Sequence, residues 1–299
     1  MRTLVILASY NGEKHIEEQI NSILNQIDVD VKIYVFDDNS ADDTCKIVEK
    51  FPEIILKKRN AGSGSAAINF LEALYELNVL GELKKYDYIS FCDQDDIWLN
   101  KKLSKAISVL KNGFDLYGSN LIMYKNGLPT DVILVKSQNE KRFDFLFEGG
   151  SAGCTYVLTP SLAELVCDNY EKIRHKTWKY FSHDWFIYFI ARLNGFKTHI
   201  DQNSYIFYRI HESNVHGQMN AKSLTGFFKR IKFVFNDWYI ESSAGYLQFC
   251  SNDSLEYKIL KNFISGYFHR ILVLLKYNTQ LMKSKSKFLK FFILNLMKI

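Results

Sequence analysis

Over the first 125 residues, short apolar runs alternate with helical stripes across brief connections. That is the pattern of an α/β fold whose mostly parallel central sheet is flanked by helices on both faces. Beyond about residue 220 the chain turns helical by composition, rich in Phe, Leu, Ile and Lys, which adds a C-terminal helical appendage. Three of the apolar runs end in polar clusters, and open parallel sheets bind ligands beyond the carboxyl ends of their strands.

Thr3–Ser9 is a compact apolar run that stops at Ser9-Tyr10-Asn11-Gly12. Ile16, Ile20, Ile23, Leu24 and Ile27 follow at helix spacing. Val31–Phe36 is a second buried run ending in Asp37-Asp38-Asn39-Ser40, and Asp42 and Asp43 then stand where a helix dipole favours acids. Ile54–Leu56 makes a weaker third strand, Ser65–Leu77 is helical by pattern, and Tyr88–Cys92 is a fourth strand ending in Asp93-Gln94-Asp95-Asp96. Lys101–Leu110 predicts another helix. From 112 to 220 the signals mix: Leu116–Tyr124 and Cys154–Leu158 predict strands, Pro160–Asn169 and Asp184–Leu193 helices. There is no internal repeat and no low-complexity linker, so the division into 1–220 and 221–299 rests on a shift in charge.

That shift is large. Residues 220–299 hold 13 Lys and Arg against 4 Asp and Glu, whereas the rest of the chain holds 25 against 29. A basic tail on an acidic body points to an anionic partner. With 299 residues, 47% of them hydrophobic, and only 3 Pro and 15 Gly, the chain is neither disordered nor collagen-like and can bury a sizeable core. The five cysteines are scattered, without zinc or redox spacing, which fits a reduced, cytoplasmic compartment. No signal-peptide architecture precedes the first strand, and no run of about 18 apolar residues would span a bilayer.

Asp93-Gln94-Asp95-Asp96 is the sharpest chemical feature. Three carboxylates at one strand end repel unless a cation neutralises them, and an all-oxygen ligand set selects Mg²⁺ or Mn²⁺. An exposed acidic turn capping the next helix is the plain structural alternative, but Phe91-Cys92 and Ile97-Trp98-Leu99 bracket the cluster too tightly for a solvated loop. Asp37-Asp38-Asn39-Ser40 can accept hydrogen bonds from a nucleobase or ribose, or simply cap a helix. Ser9-Tyr10-Asn11 adds a ring that can stack on a base.

Taken together, Val5–Asn11, Val35–Asp42 and Phe91–Trp98 resemble the pattern of glycosyltransferase family 2, and residues 3–215 share in the likeness. Within the family the stretches around Asp95 and His211 are most similar to bacterial rhamnosyltransferase-type members. The resemblance implies a GT-A, Rossmann-like fold and an inverting transfer of sugar from a nucleotide-diphosphate donor, with dTDP-L-rhamnose the suggested donor and a UDP-hexose the competitor. It implies that Ser9, Tyr10, Asn11 and Asp38 hold base and ribose, with Asn60, Gly62 and Asp93 also on the donor side. Asp93 and Asp95 form its Asp-x-Asp, with Asp95 the direct metal ligand and His211 close by. Arg209 would face phosphate charge. Ala66-Ala67-Ile68-Asn69 departs from the family's Ala-Arg-Asn. Gly153, Cys154 and Trp185 would line the acceptor side, Cys154 as a packing residue. Asp184 matches the catalytic base; it stands among Phe181, Trp185, Phe186 and Tyr188, where burial would adapt it to take a proton from an acceptor hydroxyl. The same residue suits a helix N-cap.

Gly226–Val234 and Lys283–Ile299 mix cations with large apolar groups. The latter, roughly 25 Å long as a helix, is shorter than a bilayer core of ~30 Å. Either it lies in a membrane interface, on the inner face of the cell membrane where a saccharide or lipid-linked saccharide acceptor waits, or it packs on the enzyme with its lysines in solvent. No nucleic-acid-binding module accompanies the charge. A nucleotidyltransferase would want a Gly-rich phosphate loop that Ser9–Lys14 lacks, and a non-catalytic binding protein would have less use for Asp184.

Overall fold

A computed structural model describes residues 1–174, 176–210 and 237–297. His211 and the 226–234 segment lie outside the described residues. The chain divides into two compact units, neither continuous in sequence: residues 1–137, 150–174 and 186–209 form one, and residues 138–149, 175–185 and 210–299 the other. A single cut near 220 therefore does not describe the packing.

The first unit is built on β1 (Arg2–Ser9), β2 (Asp30–Asp37), β3 (Ile55–Lys58) and β4 (Tyr88–Cys92), all parallel. Strand β1 is buried on both faces from Thr3 onward, as its unbroken apolar run requires. Val5 and Leu7 meet α1 (Ile16–Leu24), α2 (Thr44–Val48) and α4 (Lys102–Leu110), joined in one core with Ile20, Val48 and Leu103. On α3 (Ala66–Val79), Phe70 packs edge-on to Phe91 at 5.6 Å. Further strands extend the sheet: β5 (Ile97–Trp98), β6 (Leu116–Lys125), β7 (Leu128–Leu134), β8 (Val157–Leu158) and β9 (Thr198–Arg209), in the order β3-β2-β1-β4-β8-β6-β9-β5 with β7 on the side of β6. The helices α5 (Pro160–Glu171) and α6 (His183–Leu193) follow the expected runs.

Three strands, β5, β7 and β9, escape the sequence pattern. β9 shows no alternation because its pairing with β6 slips twice, between Ser119 and Asn120 and again before Ile122. Only the end of Cys154–Leu158 is a strand; Gly153–Thr155 is a 3₁₀ turn.

The second unit contains α7 (Trp238–Leu247), α8 (Leu255–Ile264), α9 (Tyr267–Tyr277) and α10 (Lys285–Leu296). Serine caps start two of them: Ser254 Oγ accepts from Tyr257 N–H and Ser284 Oγ from Lys287 N–H. Gly266, at φ 140°, makes the short turn between α8 and α9 that a side chain would strain. Aromatic rings fill the interior: Phe147 lies 4.8 Å from Phe263 and 5.3 Å from Phe291, while Trp178 and Trp185 pack on Tyr246. Buried Lys283 donates from Nζ to the Gly149 carbonyl at 2.7 Å, and Lys287 pairs with Glu148, so the start of α10 is tied to the 148–149 segment. Among the described residues no helix is long and apolar enough to cross a membrane.

Candidate active site

Strand register assembles the site. Ser9 lies opposite Asp37 and Leu7 opposite Cys92, so the loops after β1, β2 and β4 emerge side by side. Asp37 is buried and holds the β2 loop in shape: Oδ1 accepts from the hydroxyls of Ser9 (2.9 Å) and Ser40 (2.6 Å), Oδ2 from the Ser40 N–H (2.8 Å). Asn11 sits at φ 47°, a conformation asparagine tolerates; its Oδ1 accepts from Ala41 N–H and its own N–H donates to Ser40 Oγ. Gln94 reaches across from the β4 loop, accepting from Tyr10 N–H at 2.8 Å and donating to the Tyr10 carbonyl at 3.0 Å. Gly12 makes room for it, since a Cβ there would stand 2.2 Å from Gln94 Oε1. The Tyr10 backbone is thus clasped while its side chain stands exposed.

Asp38 is buried beside this loop. Oδ1 accepts from Ser63 N–H at 2.7 Å, and Oδ2 from the Ser63 hydroxyl at 2.9 Å and Gly64 N–H at 3.2 Å. Gly62 passes so close that a Cβ would lie 2.9 Å from the Asp38 carbonyl oxygen, whereas Asn60 is exposed. An arginine does stand here, although the family's Ala-Arg-Asn is missing. Arg59 donates from Nε to Asn69 Oδ1 at 2.7 Å and approaches Asp38 to 4.0 Å.

The Asp93–Asp96 loop is held from behind. Arg209, at the end of β9, donates its N–H to Asp96 Oδ1 (3.2 Å) and its Nε to the Asp95 carbonyl (2.8 Å), with its guanidinium 4.8 Å from the Tyr124 ring centre. It also pairs with Glu18, so this guanidinium is engaged in positioning the loop. Asp93 and Asp95 are half-buried and Asp96 fully buried. Burial, reinforced by the charges of Asp93 and Asp95, pushes the Asp96 carboxyl well above the usual carboxylate range, and its Oδ2 has no hydrogen-bond donor among the described residues. Lys102 is buried beneath the same loop. It donates to Ser90 Oγ at 2.7 Å, lies 3.5 Å from the Trp98 ring centre, and is pushed down to about 7 by burial.

In the second unit Asp184 occupies the first turn of α6. Its Oδ1 accepts from the Ser182 hydroxyl and, at 2.8 Å, from Trp185 N–H. The residue is half-buried, less enclosed than its aromatic neighbours suggest. Trp185 is buried: its indole N–H donates to the Phe145 carbonyl at 2.9 Å and its ring packs on Trp238 and Tyr246.

A trio of polar loops at the carboxyl ends of β1, β2 and β4 has known counterparts. The glycosyl transferase family 2 model matches residues 4–149. The dTDP-rhamnosyl transferase RfbG of Shigella flexneri is 36% identical over 244 residues, 78% of this chain and 80% of that protein. The chain belongs to glycosyl transferase family 2. An uncharacterized glycosyltransferase, alr2836 of Nostoc, is 25% identical over 82% of this chain and 78% of its own length. Among solved structures, S. aureus TarS residues 1–349 in complex with UDP-GlcNAc superposes with a TM-score of 0.56 at 18% identity, covering 99% of this chain and 81% of that one. The mannosyltransferase PcManGT of Pyrobaculum calidifontis, in complex with GDP-Man and Mn²⁺, gives 0.50 at 16%, covering 93% and 73%. The fold is GT-A and the protein a glycosyltransferase.

Of the residues read from the sequence, this family 2 enzyme gathers Ser9, Tyr10, Asn11, Asp38, Gly62, Asp93 and Asp95 onto adjacent loops of the first unit. Gly153 and Cys154 lie in the 3₁₀ turn of that unit. His211 is not described. Three residues take parts that the sequence did not assign to them. Gln94, and Arg209, which was expected to face phosphate charge, hold the loop through backbone atoms, which leave no sequence signal. Asp96 is the third: its donor atom, with those of Asp93 and Cys154, falls within a cluster 4.8 Å across. The run of three acids was the available clue. The buried Asp96 Oδ2, which has no hydrogen-bond donor among the described residues, and the half-buried Asp93 carboxylate fit a hard divalent cation, whereas Asp95 falls outside this close group. Cys154 is fully buried and held as a thiol, which suits packing better than ligation.

Proposed function

We propose that this enzyme transfers L-rhamnose from dTDP-L-rhamnose to a hydroxyl of a saccharide or lipid-linked saccharide, inverting the anomeric centre, in the assembly of a bacterial surface polysaccharide. The observation that carries this reading is the loop trio itself, with Asp38 poised beside an exposed Tyr10, in a chain 36% identical to a dTDP-rhamnosyl transferase. Tyr10 stacks on the base, and Asp38, already oriented by Ser63 and Gly64, accepts from the base or ribose. Asp93 and Asp95 would hold Mg²⁺ or Mn²⁺, which when bound offsets the charge developing on the departing diphosphate. Asp184 takes the proton from the acceptor hydroxyl as its oxygen attacks the anomeric carbon and the bond to the diphosphate breaks. The Ser182 hydroxyl and Trp185 N–H orient that carboxylate. Gly153, Cys154 and Trp185 shape the acceptor side, and the enzyme works at the inner face of the cell membrane.

Asp184→Asn should lower turnover with dTDP-rhamnose by about 10²–10⁴-fold, the usual range for losing a general base, while dTDP binding measured by calorimetry stays within twofold. Turnover near that of the parent enzyme would rule Asp184 out as the base. Faster transfer from UDP-glucose than from dTDP-rhamnose would replace the donor assignment.

A further inference from the structure

We infer that the outer faces of α9 and α10 form the surface by which the second unit docks on an anionic lipid bilayer. This deepens, and rests on, the reading that the enzyme works at a membrane surface.

Both helices are amphipathic in an unusual sense: each has an apolar stripe left outside. On α9 the residues Phe268, Leu272 and Leu275 recur at helix spacing and are 79%, 63% and 59% exposed. On α10 the same is true of Leu289 and Ile293, with Met297 continuing the line. The core does not need these stripes. The opposite faces already pack inward through Val273 and Leu274 on α9 and Phe291 and Asn295 on α10. The Tyr267 hydroxyl donates to the Leu296 carbonyl at 3.1 Å, which brings the start of α9 to the end of α10 and joins the stripes at that corner. Adjoining apolar stripes make a patch rather than scattered exposed residues, and such patches mark interaction surfaces.

Charge identifies the occupant. From residue 257 to the end of the chain there is no Asp or Glu, against nine Lys and Arg. Lys276 borders the α9 stripe, and Lys285 and Lys290 border that of α10; all three are exposed. A shallow cleft lined by Asn262, His269, Leu272 and Lys276 sets an ammonium and an imidazole next to the apolar stripe, donors suited to a lipid phosphate. A second copy of this chain would bring two cationic rims together, whereas anionic headgroups complement them. At 11 and 12 residues, roughly 16–18 Å, the helices are too short to span a core of ~30 Å and suit lying in the interface.

The test is co-sedimentation of the full-length protein with phosphatidylcholine vesicles, with and without phosphatidylglycerol. The parent protein should sediment with the anionic vesicles, less so as salt is raised. Two variants, Phe268→Ser/Leu272→Ser/Ile293→Ser and Lys276→Glu/Lys285→Glu/Lys290→Glu, should each bind at least about tenfold more weakly with unchanged circular dichroism and dTDP affinity. The proposal falls if the parent stays in the supernatant, or if the serine variant sediments like the parent. It also falls if the parent is a dimer that the serine variant splits, because a second copy would then cover the face. No transfer of rhamnose from dTDP-rhamnose to a water-soluble acceptor, with vesicle binding intact, would sink the proposed donor and acceptor and leave this reading standing.

Discussion

Gln94 shows how one side chain can couple two loops. It contacts Tyr10 only through backbone groups, and Gly12 is glycine because Gln94 occupies the space a Cβ would take. Gly12→Ala should therefore push Gln94 aside without disturbing the core. Two hydrogen bonds at about 0.5–1.5 kcal/mol each would be lost, weakening dTDP binding roughly tenfold with the melting temperature nearly unchanged. Gln94→Ala should do the same, and the double variant should be no worse than either single one. Additive losses in calorimetric titration would mean the two residues act separately. Asp38→Ala belongs at this scale as well. Ser63 and Gly64 would lose the acceptor that orients their segment, so KM for the donor should rise by at least about tenfold while kcat falls less.

Among the elements, α4 carries an unusual burden. Lys102 is fully buried, and its folded pKa of about 7 lies below the ordinary value of 10.5. Below pH 7 the ammonium is charged in both the folded and unfolded chain, so the cost of burying it is complete. Between pH 7 and 10.5 the folded form sheds the proton that the unfolded chain keeps, and stability rises with pH. Lys102→Met should accordingly raise the melting temperature by a few degrees at pH 6, and the gain should shrink towards pH 10. A variant destabilised equally at both pH values would show that the ammonium is a well-paired partner. β9 matters at this scale for a different reason: its last residue, Arg209, carries the contacts that hold the acidic loop, so the fold brings residues 95 and 209 together.

At the scale of the molecule, all three loops proposed to hold the donor belong to one compact unit, so a donor nucleotide should stabilise that unit by linkage. At a hundredfold excess over its Kd, dTDP with Mn²⁺ should add about 2.7 kcal/mol, a rise of several degrees in melting temperature. Chelating the metal with EDTA should remove most of that rise if Asp93 and Asp95 bind the diphosphate through the cation. An equal rise with and without Mn²⁺ would make the acidic loop a structural turn. The second unit draws on residues 138–149 and 176–185 as well as the tail, so deleting residues beyond 220 should expose Phe147 and Trp185 and cause aggregation.

Local chemistry determined a good deal by itself. Short unbroken apolar runs that stop at polar clusters read as strands buried on both faces, so β1, β2 and β4 were legible, and with them the clusters at their ends: Ser9–Asn11, Asp37–Ser40 and Asp93–Asp96. The helix of Asp184 was legible too, from its apolar period. Other features depended on contacts between residues distant in the chain. β5, β7 and β9 are short, exposed or slipped in register, and carry no period of their own. Gln94 and Arg209 act on backbone atoms, Asp96 and Lys102 differ from less buried neighbours of the same type only by burial, and the sequence left open whether the apolar face of the last helix is covered until packing left it outside. Periodicity reports which face of an element is apolar; only the packed chain decides whether that face is covered.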